Sequence, residues 1–280
     1  MDTSIKKRVF IIGAPRSGTT LLQSILATHS EVTSFPETHY FNHLFSGRRL
    51  LSMFGIASPQ ARRYWNKFLL LVAADKKNNK IPPLTIFTNQ YTQQFVHVLD
   101  NITYNQNKNI WIEKTPGHLH SIPYLEHAIG DVFFIHILRC GTDVVASLFE
   151  FGQKYDDAWG LELRSLDRCI EIWSQDIRIS LKYINRNNHF IVKYEHLTEN
   201  PRKMVVKLCE FLEIPYEEEM ITNYSLSASK YIYNEPWKES VKEPIRLLHG
   251  HKFNTIFSPQ EQQYILNQLP QDIDYDHILK

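Results

Sequence analysis

The first continuous apolar run, RVFIIG at residues 8–13, stops at a glycine, and beyond the next turn the period changes. TTLLQSILATH, from Thr19 onward, carries its apolar positions at helical spacing. An apolar run bounded by a turn predicts a buried strand, and apolar positions three to four apart predict the covered face of a helix. The opening therefore predicts strand, turn and helix, the first half of a βαβ unit. The order returns twice. DVFFIHILRC (131–140) predicts a second buried strand followed by the helical TDVVASLFEFG, and HFIVKYEHL (189–197) predicts a third, followed by the amphipathic NPRKMVVKLCEFLEI. NIWIEK (109–114) predicts a shorter strand. Strands apolar on both faces that alternate with helices imply an α/β chain with a central, mainly parallel sheet flanked by helices. Functional residues then gather at the carboxyl ends of the strands. Segments 42–108 and 220–257, rich in aromatic and polar residues, break this rhythm and predict helical or irregular insertions around the sheet. With no repeat, low-complexity tract or linker, residues 1–280 read as one domain.

Composition adds mainly exclusions. Apolar content of 43% and charged content of 22% are those of an ordinary globular protein. A net charge of +1 points to neither nucleic acid nor an anionic membrane surface, so any anion site must be built locally. Cys140, Cys169 and Cys209 are too few and too scattered for a disulfide framework and read as reduced thiols. The first strand begins almost at the amino end, which leaves no room for a signal peptide. The longest other apolar run, FLLLVAA at 68–74, is far shorter than the roughly 18 residues of a membrane span. A soluble, cytoplasmic protein is the expectation.

The turn after the first strand carries the first candidate chemistry. Gly13 and Gly18 have the spacing of a phosphate-cradling loop, and Thr20 fills its Ser/Thr position, but Thr19 stands where such loops carry lysine. Arg16 lies inside the loop, after Pro15, which stiffens the turn. Glycines admit a close anion, and the following helix aims its free amides at it. An arginine with backbone amides suits a compact anion better than a magnesium triphosphate. A tight strand-to-helix turn with no ligand would use the same two glycines.

Three further stretches fit one site. In FPETHYF (35–41), Glu37 could present a carboxylate as general base, with His39 as a second candidate. In WIEKTPGHLH (111–120), Lys114 closes a strand where an ammonium can stabilise charge on a leaving oxygen. Thr115 and Pro116 read there as a helix cap and first helical residue. His118 and His120 form a pair that no neighbouring carboxylate or cysteine completes, so no metal is expected. In HILRCGTDVVASL (136–148), Arg139 can fork onto a second phosphate and Ser147 can add a hydroxyl from the next helix. Arg16 and Arg139 thus make two separate anion cradles.

GAPRSGTTLL, PETHYF, EKTPGHL, HILRCGTDVVASL and KYEHLTENPRKMVVKLCEFLEIP, in this order from residue 8 to about residue 220, resemble the PAPS-dependent sulfotransferases. PAPS is 3′-phosphoadenosine 5′-phosphosulfate, and its desulfated product is PAP. The likeness is greatest to the branch of bacterial, tyrosylprotein and carbohydrate enzymes. It implies a P-loop NTPase-like three-layer fold and transfer of a sulfuryl group to an acceptor hydroxyl, without a metal. By that resemblance Pro15, Arg16, Ser17, Gly18, Thr19 and Thr20 form the loop on the 5′ end of the nucleotide, Arg139 and Ser147 hold its 3′-phosphate, and Tyr194 lies near the adenosine. Glu37 matches the catalytic carboxylate and Lys114 the lysine that contacts the transferring group. Cys140 and Thr142 depart from the family's usual Asp and Arg or Lys. Beyond residue 220 the likeness thins, and Lys238 and Lys252 are candidates for closing over nucleotide or acceptor. The aromatic and polar segments 42–108 and 220–257 would suit a carbohydrate, a phenolic or tyrosyl, or a lipid hydroxyl alike as acceptor. A P-loop kinase or NTPase would need the missing lysine, and a non-catalytic nucleotide binder would not need Glu37 and Lys114.

Overall fold

The apolar runs pair side by side. The computed structural model describes residues 5–45, 54–75, 79, 81–82, 84–231, 244–245, 250–275 and 278. Its sheet has five strands, β1 (Lys7–Gly13), β2 (Val32–Phe35), β3 (Ile110–Lys114), β4 (Val132–Leu138) and β5 (His189–Lys193), in the order β2-β3-β1-β4-β5. Every neighbouring pair is parallel, and the registers Phe35↔Glu113, Ile11↔Lys114, Gly13↔Ile137 and Leu138↔Lys193 bring the carboxyl ends to one edge. The sequence pattern does not foretell β2, a four-residue edge strand in which Thr33 and Ser34 break the apolar run. It also overextends the third run, because β5 stops at Lys193 and Tyr194 already begins a helix.

The helices in chain order are α1 (Thr19–Ala27), α2 (Tyr40–Leu44), α3 (Ala61–Leu71), α4 (Thr88–Asn105), α5 (Ile122–Ala128), α6 (Gly141–Lys154) and α7 (Ala158–Glu162). They continue with α8 (Leu166–Leu181), α9 (Tyr194–Glu199), α10 (Pro201–Leu212), α11 (Glu219–Thr222), α12 (Tyr224–Tyr231), α13 (His251–Ile256) and α14 (Pro259–Gln268). A 3₁₀ turn, Pro116–Ser121, precedes α5.

Strand side chains alternate between faces, and that alternation divides the core. Val9, Ile11, Ile110 and Ile112 face α1 and α10, where Leu22, Ile25, Val205 and Leu208 cover them. Phe10, Ile12 and Trp111 face the other way, against Tyr40, Phe41, Trp65, Phe68 and Phe95. The Phe10 and Trp111 rings meet edge-on at 5.4 Å, and Tyr40 stacks on Phe95 at 5.0 Å. From the described part of segment 42–108, α3 and α4 contribute Trp65, Phe68 and Phe95 to this side of the core. A third cluster joins α6 and α8, through Val144, Leu148, Trp173 and Ile177, to Phe253 of α13, Phe257 just past its end and Ile265 of α14.

At the end of β1 the chain must turn beside β4 with no room for a side chain. Gly13 has φ +147°, and a Cβ there would lie 2.4 Å from the carbonyl oxygen of Ile137. Gly13→Ala is expected to cost at least about 1–3 kcal/mol, read as a fall in the denaturation midpoint with an unchanged slope.

Candidate active site

The loop after β1 closes tightly: the amide of Ser17 donates to the carbonyl of Ala14 at 3.3 Å, Arg16 has φ +70°, and Gly18 caps α1 at φ +97°. A Cβ on Gly18 would lie 2.4 Å from Cδ2 of Tyr194, so the ring of Tyr194 rests on this glycine. Pro15 is half-buried at the bend, whereas Ser17, Thr19 and Thr20 are buried at the start of α1. The hydroxyl of Ser17 has no hydrogen-bond partner among the described residues. Arg16 reaches across to α6: its Nε donates to Oγ of Ser147 at 3.2 Å, and its guanidinium lies 5.8 Å from the Phe151 ring centroid. Burial lowers the Arg16 pKa from its ordinary value; Glu150 opposes this and the nearby Arg139 adds to it.

Arg139 stands one residue past β4. Its Nη1 donates to the carbonyl of Arg16 at 3.4 Å, and Nη2 lies 3.8 Å from Asp143 Oδ2. Its guanidinium carbon is 4.4 Å from the Tyr194 ring centroid, within range of a cation–π attraction. Nε of Arg139 is buried without a hydrogen-bond partner among the described residues. The surrounding turn is fixed from three sides: Trp173 Nε1 donates to the Arg139 carbonyl at 2.9 Å, the Cys140 amide donates to Glu195 Oε1 at 3.0 Å, and the Tyr275 hydroxyl donates to Glu195 Oε2 at 2.5 Å. The two cradles, expected to be separate, are adjacent and share Ser147. Tyr194 lies between them, with Gly18 against its ring and Arg139 over it.

The third part of the site lies at the end of β3. Alternation turns Lys114 toward α1, where its side chain is only 1% exposed. Its Nζ contacts Glu37 Oε1 and donates to Thr20 Oγ1 at 3.4 Å. His39 Nε2 lies 3.4 Å from the other oxygen of Glu37. Desolvation lowers the His39 pKa, with Glu37 opposing the shift. Glu113, the preceding residue, turns to the opposite face and is fully buried. Its Oε1 accepts from the Thr38 amide at 3.0 Å, the Thr38 hydroxyl at 2.8 Å and the Thr115 hydroxyl at 2.6 Å. Its Oε2 faces His118 Nδ1 at 3.0 Å, while His118 Nε2 accepts from the Phe41 amide at 3.2 Å. With Nε2 accepting, Nδ1 is the ring nitrogen that donates to Glu113. Burial would raise the Glu113 pKa, but His118, Thr115 and Thr38 together hold it below the ordinary value.

Several sequence expectations change here. Thr115 does not cap the helix that follows; its hydroxyl donates to Glu113 and accepts from the amides of Thr38 and His39. His118 is committed to Glu113, and His120 pairs with Asp176 of α8 at 2.9 Å, so the two imidazoles serve different elements. Among the described residues no group of three or more His, Cys, Asp or Glu is placed to hold a metal ion. Lys252 pairs with Glu150, and Lys238 lies outside the described residues. The sequence pattern does not point to Glu113, Asp143, Trp173 or Glu195 as parts of this site. Glu113 alone had a visible signal, a charge inside an otherwise apolar strand.

Comparison with known proteins agrees with this layout. A sequence model described as "Sulfotransferase family" matches residues 8–218, and the chain belongs to that family. Protein-tyrosine sulfotransferase A of Caenorhabditis elegans is 23% identical over 225 residues, covering 78% of this chain and 53% of that protein. The protein-tyrosine sulfotransferase of Drosophila melanogaster is 23% identical over 220 residues, covering 76% of this chain and 39% of that protein. The chain thus spans about half or less of these two relatives. The sulfotransferase domain of the Synechococcus PCC 7002 olefin synthase superposes with a TM-score of 0.54 at 19% identity, covering 95% of this chain and 96% of that one. Mouse sulfotransferase SULT7A1, solved with PAP, gives 0.55 at 12% identity, covering 94% and 83%. The fold is that of the sulfotransferases, which is P-loop NTPase-like. No helix among the described residues is long and apolar enough to cross a membrane.

A buried carboxylate held ionised makes stability depend on pH. The folded pKa of Glu113 lies below the ordinary 4.5. Its contribution is therefore full above that value and is lost as the pH falls through the folded pKa. The stability gap between wild type and Glu113→Gln, measured by urea titration, is expected to narrow as the pH drops below 4.5.

Proposed function

We propose that this chain catalyses transfer of a sulfuryl group from PAPS to the hydroxyl of an acceptor. The observation that carries the reading is the meeting, at one sheet edge, of a carboxylate, an ammonium and two guanidiniums drawn from the ends of four strands: Glu37 after β2, Lys114 of β3, Arg16 after β1 and Arg139 after β4. Two buried donors without partners among the described residues, Ser17 Oγ and Arg139 Nε, fit a phosphate-bearing ligand.

In this reading Arg16 and the amides of Ser17, Gly18, Thr19 and Thr20 hold the 5′ end of the nucleotide, where the first turn of α1 adds its dipole. Arg139 and Ser147 hold the 3′-phosphate, and Tyr194 supports Arg139 beside the adenosine. PAPS supplies the sulfuryl group and a phosphate leaving group. Glu37 accepts the proton of the acceptor hydroxyl, and the oxygen attacks sulfur in line. Lys114 and Arg16 stabilise the negative charge that grows on the leaving oxygen. No metal has a part in these roles.

A cavity of about 530 Å³ opens beside α2 and the 3₁₀ turn, lined by Phe41, Asn42, Phe45, His120, Pro123 and Tyr124 among others. It begins just past Glu37 and Lys114 in both chain segments. Its aromatic walls with one amide and one imidazole suit an acceptor that presents its hydroxyl on a flat ring, phenolic or sugar, over a lipid chain.

Glu37→Gln is expected to lower kcat by about 10²-fold or more while leaving calorimetric affinity for PAP unchanged; full turnover in that variant would transfer the proton to His39. Arg139→Ala is expected to weaken PAP binding by about 1.5–3 kcal/mol, and unchanged affinity would remove Arg139 from the nucleotide site. Labelled PAPS offered with tyrosyl, sugar and lipid hydroxyls identifies the acceptor class.

A further inference from the structure

Glu113 takes part in none of these steps, yet its surroundings exceed what a strand end requires. Its carboxylate gathers four donor contacts from three segments: the Thr38 amide and hydroxyl, the Thr115 hydroxyl and His118 Nδ1. A buried carboxylate without such partners would be costly enough to be eliminated or neutralised. Its position is specific in another way. Glu113 and Lys114 are consecutive, so their side chains leave β3 on opposite faces. The chain from Phe35 to Phe41 passes over that strand end and touches both: Glu37 meets Lys114 on one face, and Thr38 meets Glu113 on the other.

We propose that Glu113 is a positioning residue for the reaction: by holding Thr38 it aims the neighbouring Glu37 carboxylate at the hydroxyl to be deprotonated. The network also holds a backbone that L residues avoid. His39 has φ +49°, and its amide is fixed by the Thr115 hydroxyl at 3.2 Å, itself donating to Glu113. The Thr38 hydroxyl in turn accepts from the Tyr40 amide at 3.3 Å, and His118 accepts from that of Phe41 at 3.2 Å, so the first turn of α2 is tied to the same carboxylate. A carboxylate on an unsupported turn would sample many directions, and displacement of a reacting group by an ångström costs roughly 10²-fold in rate.

The proposal rests on the reading of Glu37 as the proton acceptor, and the experiment separates the two. Thr38→Val keeps the branched shape and removes one donor to Glu113, leaving Glu37, Lys114 and both arginines in place. It is expected to lower kcat by about tenfold or more, to leave the affinity for PAP unchanged, and to speed hydrogen exchange at the amides of Thr38, His39 and Phe41. Thr38→Ser, which keeps the hydroxyl, is expected to keep both kcat and the exchange of these amides at their wild-type values. In a Glu37→Gln background, Thr38→Val should bring no further loss of kcat, because the turn then has no carboxylate to aim. An equal loss in both backgrounds, or full kcat in Thr38→Val, overturns the positioning role while leaving the base assignment standing. Wild-type turnover in Glu37→Gln alone overturns the base assignment and the positioning role with it.

Discussion

An ammonium withdrawn from water must find charge or hydrogen-bond partners or lose its proton, and Lys114 finds them in two other elements. Glu37, on the turn after β2, and Thr20, in the first turn of α1, both meet its Nζ. That single charge ties the end of β3 to the start of α1 and to the turn that carries the carboxylate. It also explains the gap in the glycine loop. Thr19 occupies the position where phosphate loops carry lysine, and the residue beside it, Thr20, is met by an ammonium arriving from a different strand. The cation is present in the site, but it is delivered from β3 and paired with a carboxylate.

The two arginines pose the opposite problem, because like charges gather in a poorly solvated edge. Arg139 adds to the burial that makes Arg16 harder to protonate, and Glu150, Asp143 and the ring of Tyr194 offset the crowding. The chain as a whole carries a charge of only +1. The positive potential at this edge is therefore local, created by where the strands end and not by composition.

How much of this could be read from the residues follows from burial. β1, β4 and β5 were legible because helices cover both faces, which makes nearly every strand position apolar. β2 was not, since a four-residue edge strand with Thr33 and Ser34 has too few positions to show a period. The loop from Gly13 to Thr20 is legible through its glycines, Lys114 through its place at a strand end, and Glu37 through its place in FPETHYF and the family likeness. Glu113 was overlooked although it adjoins Lys114: a carboxylate in an apolar strand becomes meaningful only once its donors, Thr38 from β2's far end and His118 from the 3₁₀ turn, are seen around it. The nearness of Arg16 and Arg139 was hidden for a related reason. They lie 123 residues apart in the chain, and only the β1–β4 pairing makes them neighbours.

Tyr194 has a consequence of its own. Its ring is wedged between Gly18, which has no side chain to displace it, and the guanidinium of Arg139. An aromatic ring has a fixed thickness and no internal torsions, so it works as a gauge block between the glycine loop and the β4 loop. The width of the gap that any ligand must bridge to touch both loops is thus calibrated by the first side chain of α9, and changing that calibration requires altering neither arginine.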